Sequence, residues 1–277
     1  MTHALISAAA LRALPASPLL LDCSFDLADP AAGERDFAAG HLPGALYVHL
    51  DRDLSGPKTG TNGRHPLRAR AEYAAWMAST GIDATRDVVV YDRQAGMFAV
   101  RAWWILRWMG HTRVALLDGG LEAWVRAGGD LTQQVDVPRP VAVATPPAPA
   151  MPTTDAAALL AGLDGTRLLD ARAPERYRGD VEPLDRVAGH IPGARNRFFK
   201  DNLQADGTFK PAAQLQAEYR ALLGSDSADG AVVSCGSGVT ACHDVLAMEV
   251  AGLGTATLYP GSWSEWSSDP ARPVARG

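Results

Sequence analysis

The sequence predicts an α/β protein of two tandem domains, each a mainly parallel sheet flanked by helices. Three observations carry that prediction. Ala39-Gly40-His41-Leu42-Pro43-Gly44-Ala45 recurs as Ala188-Gly189-His190-Ile191-Pro192-Gly193-Ala194, 149 residues further on. A period of that length is too long for a solenoid repeat and marks a duplicated domain. Short apolar runs alternate with helical patterns in both halves, as expected of parallel strands joined by crossover helices. Between the halves, Val137-Pro138-Arg139-Pro140 leads to Pro146-Pro147-Ala148-Pro149-Ala150-Met151-Pro152. Those prolines remove backbone donors and favour extended chain, which suits a stiff surface linker. The expected organisation is a first domain over residues 1–136, a linker over 137–152 and a second domain over 153–277.

The elements follow the same order in each half. An apolar strand ending in aspartate comes first: Leu19 to Asp22, then Leu168 to Asp170. The His-Pro-Gly motif follows as a turn into the next strand. Since His41 and His190 appear in both halves, they are read as structural. Helical stretches are expected at Arg70 to Ser79, Phe98 to Met109 and Ala212 to Leu222, with Trp103, Trp104 and Trp108 serving packing. The apolar strands Val88 to Tyr91 and Ala231 to Ser234 each run toward a helix, the second spanning Val239 to Ala251. Asp118-Gly119-Gly120-Leu121-Glu122-Ala123-Trp124 closes the first half as Pro260-Gly261-Ser262-Trp263-Ser264-Glu265-Trp266 closes the second.

Composition excludes several function classes. The 277 residues are 47% hydrophobic and 21% charged, with a formal net charge of −5. Mean hydropathy is −0.07. These are globular values, and the negative balance argues against nucleic acid or an anionic membrane as a partner. An anionic substrate would therefore need local cations. Three cysteines in a chain of this length form no disulfide framework and point to a reducing compartment. No basic segment followed by a sustained apolar stretch opens the chain, and no apolar run reaches the roughly 18 residues of a membrane span. A cytoplasmic location is expected.

Chemistry concentrates at Ser234-Cys235-Gly236-Ser237-Gly238-Val239-Thr240-Ala241. Strand, tight loop and helix succeed one another, with the cysteine where the strand ends. Gly236 and Gly238 let the loop curl so that backbone N–H groups surround the sulfur. Donors at a helix N-terminus favour the nucleophilic thiolate. The first half carries Asp92 at the matching position, and a carboxylate cannot accept and donate sulfur, so that half reads as a scaffold. Other cysteine chemistries fail on detail. A Cys-x5-Arg phosphatase loop needs an arginine where this chain has Ala241. Cys242 is too far along a helix to bridge Cys235, at roughly 10 Å between Cα atoms, and both it and Cys23 read as buried. No metal-ligand spacing is visible among the histidines and cysteines, and no cofactor is expected.

The paired His-[Leu/Ile]-Pro-Gly-Ala motifs, the inert first half and the Cys-Gly-Ser-Gly-Val-Thr-Ala loop together resemble the tandem-domain rhodaneses, more narrowly their 3-mercaptopyruvate sulfurtransferase branch. The resemblance covers roughly Leu19 to Trp266. It implies two rhodanese-like domains and transfer of sulfur from 3-mercaptopyruvate, through a Cys235 persulfide, to cyanide or to a thiol such as a thioredoxin or a small thiol. It also implies a Ser-His-Asp set of Ser237, His65 and Asp51 that handles the proton, and a substrate clamp of Arg176 and Arg186, with Arg178 the alternative to Arg186. Guanidinium forks suit the planar carboxylate and carbonyl of a 2-oxo acid. Arg172 is read as pairing with a carboxylate. The backbone from Gly236 through Gly238 and Val239 to Thr240 is expected to bind the substrate and the persulfide. The loop carries no charged side chain from Gly236 to Ala241, which disfavours thiosulfate. The alternatives are a thiosulfate sulfurtransferase and a non-catalytic rhodanese-like binding module.

Overall fold

The computed structural model describes residues 4–277. Contacts divide the chain into two units: Met1–Gly56, Arg68–Ala150 and Ala205–Phe209 form one, and Pro57–Leu67, Met151–Gln204 and Lys210–Gly277 the other. These are not the contiguous blocks of the sequence reading. Residues 57–67 and 205–209 each cluster with the unit that does not contain their chain neighbours, an assignment made by tertiary contacts that local pattern does not encode. Residues 137–150 form neither helix nor strand and cluster with the first unit. There Val141 donates its N–H to Ala78 O at 2.9 Å, and Ala150 to Trp108 O at 3.2 Å.

In the first unit the strands are β1 (Leu5–Ile6), β2 (Leu19–Asp22), β3 (Ala45–Tyr47), β4 (Val88–Tyr91) and β5 (Val114–Leu117). They form one parallel sheet in the order β1-β5-β4-β2-β3. All four residues of β4 are fully buried, as a central parallel strand covered on both faces requires. The helix Ala99–Trp108 packs with Trp103 and Trp104 fully buried, and Trp104 stacks on Trp108 at 5.7 Å between ring centroids.

The second unit repeats the plan with β6 (Arg167–Asp170), β7 (Arg195–Asn196), β8 (Ala231–Ser234) and β9 (Thr257–Leu258). Their order, β7-β6-β8-β9, is again parallel and matches β3-β2-β4-β5. A parallel bridge from Thr153 to Leu258 stands where β1 lies in the first sheet. In such sheets ligands bind beyond the carboxyl ends of the strands, and Cys235 follows the end of β8 directly.

The repeated histidines do the same work in both units. His41 stacks on Phe37 at 3.7 Å and meets Phe37 O through Nδ1 at 2.7 Å. His190 stacks on Tyr177 at 3.9 Å and meets Tyr177 O at 2.8 Å. Each also anchors an antiparallel backbone bridge, to Thr132 and to Ala275.

Candidate active site

Cys235 is 2% exposed. The N–H of Gly238 donates to its Sγ at 3.1 Å, so the loop does turn a backbone donor onto the sulfur. Gly238 has φ +75°, and a Cβ there would lie 2.2 Å from Pro260 O. Only glycine satisfies both conditions. The helix that follows, Ala241–Val250, aims its N-terminus at the loop and is buried from Ala241 to Met248. Val239 is buried and Thr240 half-buried at the helix entry.

A serine props the cysteine from behind. Ser262 Oγ accepts the Cys235 N–H at 3.0 Å and donates to Tyr259 O at 2.9 Å. Ser262 has φ +53°, unusual for a residue with a side chain. Its counterpart in the first unit is Gly120, with φ +59°. The sequence reading did not single out Ser262, although a serine aligned with a left-handed glycine is a usable signal. The Trp263 N–H then donates to Cys235 O at 2.9 Å, as Leu121 does to Asp92 O.

The matching loop of the first unit closes on a carboxyl group, Asp92, whose pKa burial pushes up while backbone N–H groups pull it down. The Asp92 carboxylate accepts four backbone N–H groups, from Gln94, Gly96, Phe98 and Ala99, at 2.8 to 2.9 Å. Convergent N–H groups at a strand–helix junction make an anion-binding nest. The same local architecture carries a carboxylate in one copy and a thiol in the other.

Beside the sulfur loop, His65 Nδ1 lies 2.8 Å from Ser237 Oγ. Both residues are buried. His65 belongs to the segment 57–67, which the second unit holds: the Arg64 N–H donates to Ser264 Oγ at 3.0 Å, and a Cβ on Gly63 would sit 3.0 Å from Gly261 O. Asp51 lies in the first unit, where its N–H donates to His49 Nδ1 at 3.1 Å.

Arg176 lies on the short helix Pro174–Arg178 after β6. Its Nη2 reaches Glu182 at 2.7 Å and Asp185 at 3.6 Å. The Arg64 guanidinium also pairs with Asp185. A Cβ on Gly236 would meet Arg64 Nη2 at 2.9 Å and Arg176 Nη1 at 3.4 Å. Two guanidinium groups therefore cover the residue next to the cysteine. Arg64 was not expected from sequence; a lone arginine ahead of a loop histidine carries no pattern.

Arg172 pairs with Asp170 at 2.6 Å, reaches Glu182 at 3.4 Å and lies 4.8 Å from the Trp263 ring. Burial disfavours its charge, but Asp170 and Glu182 hold its pKa above the usual value. Arg186 is exposed and forms no ion pair among the described residues, whereas Arg178 pairs with Asp180 at 2.8 Å. Among the described residues no group of His, Cys, Asp and Glu could hold a metal ion, and no helix is long and apolar enough to cross a membrane.

A family model of the rhodanese-like domain matches residues 7–127 and again residues 154–269. The chain belongs to the rhodanese-like domain family. Its two rhodanese domains have curated relatives over almost their whole length. The chain is 48% identical over 279 residues to a Pseudomonas aeruginosa protein provisionally named a 3-mercaptopyruvate sulfurtransferase, covering 99% of this chain and 98% of that one. It is 45% identical over 263 residues to Mycobacterium tuberculosis SseB, provisionally named a thiosulfate sulfurtransferase, covering 93% and 90%. Among solved structures, a 3-mercaptopyruvate sulfurtransferase from Leishmania major matches with a TM-score of 0.84 at 27% identity, over 96% of this chain and 74% of that one.

Proposed function

We propose that this rhodanese pair is a sulfurtransferase that moves sulfur from 3-mercaptopyruvate to cyanide or to a thiol such as a thioredoxin or a small thiol, through a persulfide on Cys235. The observation that carries the reading is the uncharged loop around Cys235 Sγ, with the Gly238 N–H on the sulfur and the Ser237–His65 pair beside it. The Cys235 thiolate attacks the sulfur of the donor, and the carbon–sulfur bond breaks toward carbon. The electron pair leaves as the enolate of pyruvate, which takes a proton delivered by way of Ser237 and His65 and departs as pyruvate. Asp51 is assigned to the same set. The N–H groups from Gly236 through Gly238 and Val239 to Thr240 stabilise first the thiolate and then the persulfide. A thiolate or cyanide then attacks the outer sulfur and regenerates Cys235.

Arg176 and Arg186 are assigned to the substrate carboxylate and carbonyl. The first domain, residues 1–136, takes no sulfur because Asp92 fills its loop. Three free cysteines, all buried, suit a reducing cytoplasm.

Thiosulfate is the competing donor. The two arginines near Gly236 are the feature that favours it, but Glu182 and Asp185 already neutralise them, and a dianion gains little from a balanced cluster. The expected kcat/KM for 3-mercaptopyruvate exceeds that for thiosulfate at least tenfold, about 1.4 kcal/mol of transition-state binding. Steady-state rates with each donor test this, and equal efficiencies would contradict the donor assignment. No turnover with either donor would favour a non-catalytic binding module.

A further inference from the structure

None of the residues that serve the proposed transfer lines a cavity of about 290 Å³ in the first unit. One wall is apolar: Ala74 and Ala78 on the helix Arg70–Ser79, Ile82 beyond it and Met109 are all buried. Ala144, Pro146 and Pro147 supply another wall, from a strap that is tied down at both ends. Val141 N–H reaches Ala78 O at 2.9 Å, Ala150 N–H reaches Trp108 O at 3.2 Å, and the Arg70 guanidinium donates to Pro147 O. Gly110 lets the strap pass close, since it has φ +89° and a Cβ there would lie 2.6 Å from Pro147 Cγ. Prolines fix the strap's backbone, so the space stays open. His111 also lines it, is 5% exposed, and keeps a buried Nε2 with no hydrogen-bond partner. Burial pushes its pKa down, further than Asp83 and the backbone at Arg86 and Arg113 pull it up, so the ring is neutral. A buried polar atom without a partner calls for an explanation. A water held inside a protein makes about two to four hydrogen bonds, and the buried side chains of the apolar wall offer it none.

We propose that this cavity is a binding site for a small uncharged molecule, apolar except for one hydroxyl group, with the bulk of a methylphenol. Each part of that description has its reason in the walls. Apolar side chains and prolines suit a flat hydrocarbon surface, and the volume lies at the lower end of ligand pockets, which begin at roughly 300 Å³. A hydroxyl both donates and accepts, so it satisfies Nε2 in either tautomer of the neutral ring. Anions are turned away at the rim. Exposed Asp83 is held below its ordinary pKa by the Thr85 hydroxyl and N–H, with a further N–H from Arg86, so it stays ionised and repels them. A cation would lose its water against walls that offer no charge. The site therefore rejects the anionic 2-oxo acids of the proposed transfer, and it stands whether or not that donor is correct.

The test uses the full chain, isotopically labelled at its methionine methyl groups, because Met77 and Met109 both line the cavity. Their NMR signals are assigned with Met77→Leu and Met109→Leu. Titration with p-cresol should shift both signals saturably, with a dissociation constant of about 1 mM or tighter. Toluene, which lacks the hydroxyl, should bind about fivefold more weakly or worse, and benzoate should leave both signals in place. His111→Leu should lose about fivefold or more in affinity for p-cresol while binding toluene as well as wild type does, which separates a lost hydrogen bond from a lost fold. Ala144→Trp, on the exposed strap, leaves the buried wall untouched and should block both ligands. Met77 and Met109 signals that do not move up to the solubility limit of p-cresol would overturn the site. Equal affinity of wild type and His111→Leu for p-cresol would overturn the assignment of the hydroxyl to Nε2. Undiminished binding by Ala144→Trp would overturn the place of the ligand beneath the strap.

Discussion

At the scale of single residues, the site is a set of side chains each fixed by a nameable contact. Cys235 is held by the Ser262 hydroxyl behind it and by the Gly238 N–H in front. Ser237 and His65 meet at 2.8 Å, and Arg172 is sealed between Asp170, Glu182 and the Trp263 ring. These contacts separate the effects of substitution. Arg176→Ala should lower kcat/KM for 3-mercaptopyruvate by about 2–3 kcal/mol through loss of charge-assisted hydrogen bonds. Arg172→Ala leaves Asp170 buried without its partner and should cost about 3–5 kcal/mol of stability. Urea titrations beside steady-state kinetics would check both; a stable Arg172→Ala would contradict the structural role. The sequence points to Cys235 through its glycine-flanked loop, and to Ser237, His65 and Arg176 through the family resemblance. It does not point to Arg64 or Ser262, because their meaning comes from what they touch: Asp185 for one, the Cys235 N–H for the other.

At the scale of elements, the two strand–loop–helix junctions after β4 and β8 differ in the group each presents, Asp92 in one and Cys235 in the other. Gly238→Ala forces a side chain onto φ +75° and into Pro260 O. It should cost more than about 1 kcal/mol of stability and most of the activity, since the donor on Sγ would move. Normal turnover by this variant would contradict the cradle. The helix after β8 carries a second device. Asp244 is buried on it and accepts the Asn202 amide at 2.7 Å. Burial pushes its pKa up to about 7, against the opposing pulls of Asn202 and Arg197. A folded pKa above the unfolded value means that the native state holds the proton more tightly. The stability this group contributes is complete at acid pH, declines between about 4 and 7, and is absent above. Asp244→Asn should therefore gain stability relative to wild type across that window and stay level beyond it; a difference independent of pH would show that Asp244 does not titrate there. Element order and type were legible because the strands are apolar runs and the helices are periodic. The ends moved by one or two residues, with the helix after Cys235 beginning at Ala241 rather than Val239.

At the scale of the whole molecule, the duplication accounts for most of what could be read in advance. Two copies of one motif predicted two sheets, and the four strands of the second repeat the order of four of the five in the first. The exchanged segments 57–67 and 205–209 escaped, because a loop's allegiance depends on tertiary contacts such as Arg64 N–H to Ser264 Oγ and Phe209 N–H to Asp118. Duplication also explains how the same strand–loop–helix junction stands in both copies without a change of fold. The group at the junction differs: the Asp92 carboxyl takes four backbone N–H groups in one copy, and the Cys235 sulfur takes the Gly238 N–H in the other. The central claim is that Cys235 alone carries sulfur. It is tested most directly by incubating the protein with 3-mercaptopyruvate, without acceptor, and measuring intact and peptide masses. The account predicts one added sulfur atom on the Cys235 peptide, removed by cyanide or a thiol and absent in Cys235→Ser; sulfur on Cys23 or Cys242, or full turnover by Cys235→Ser, would contradict it.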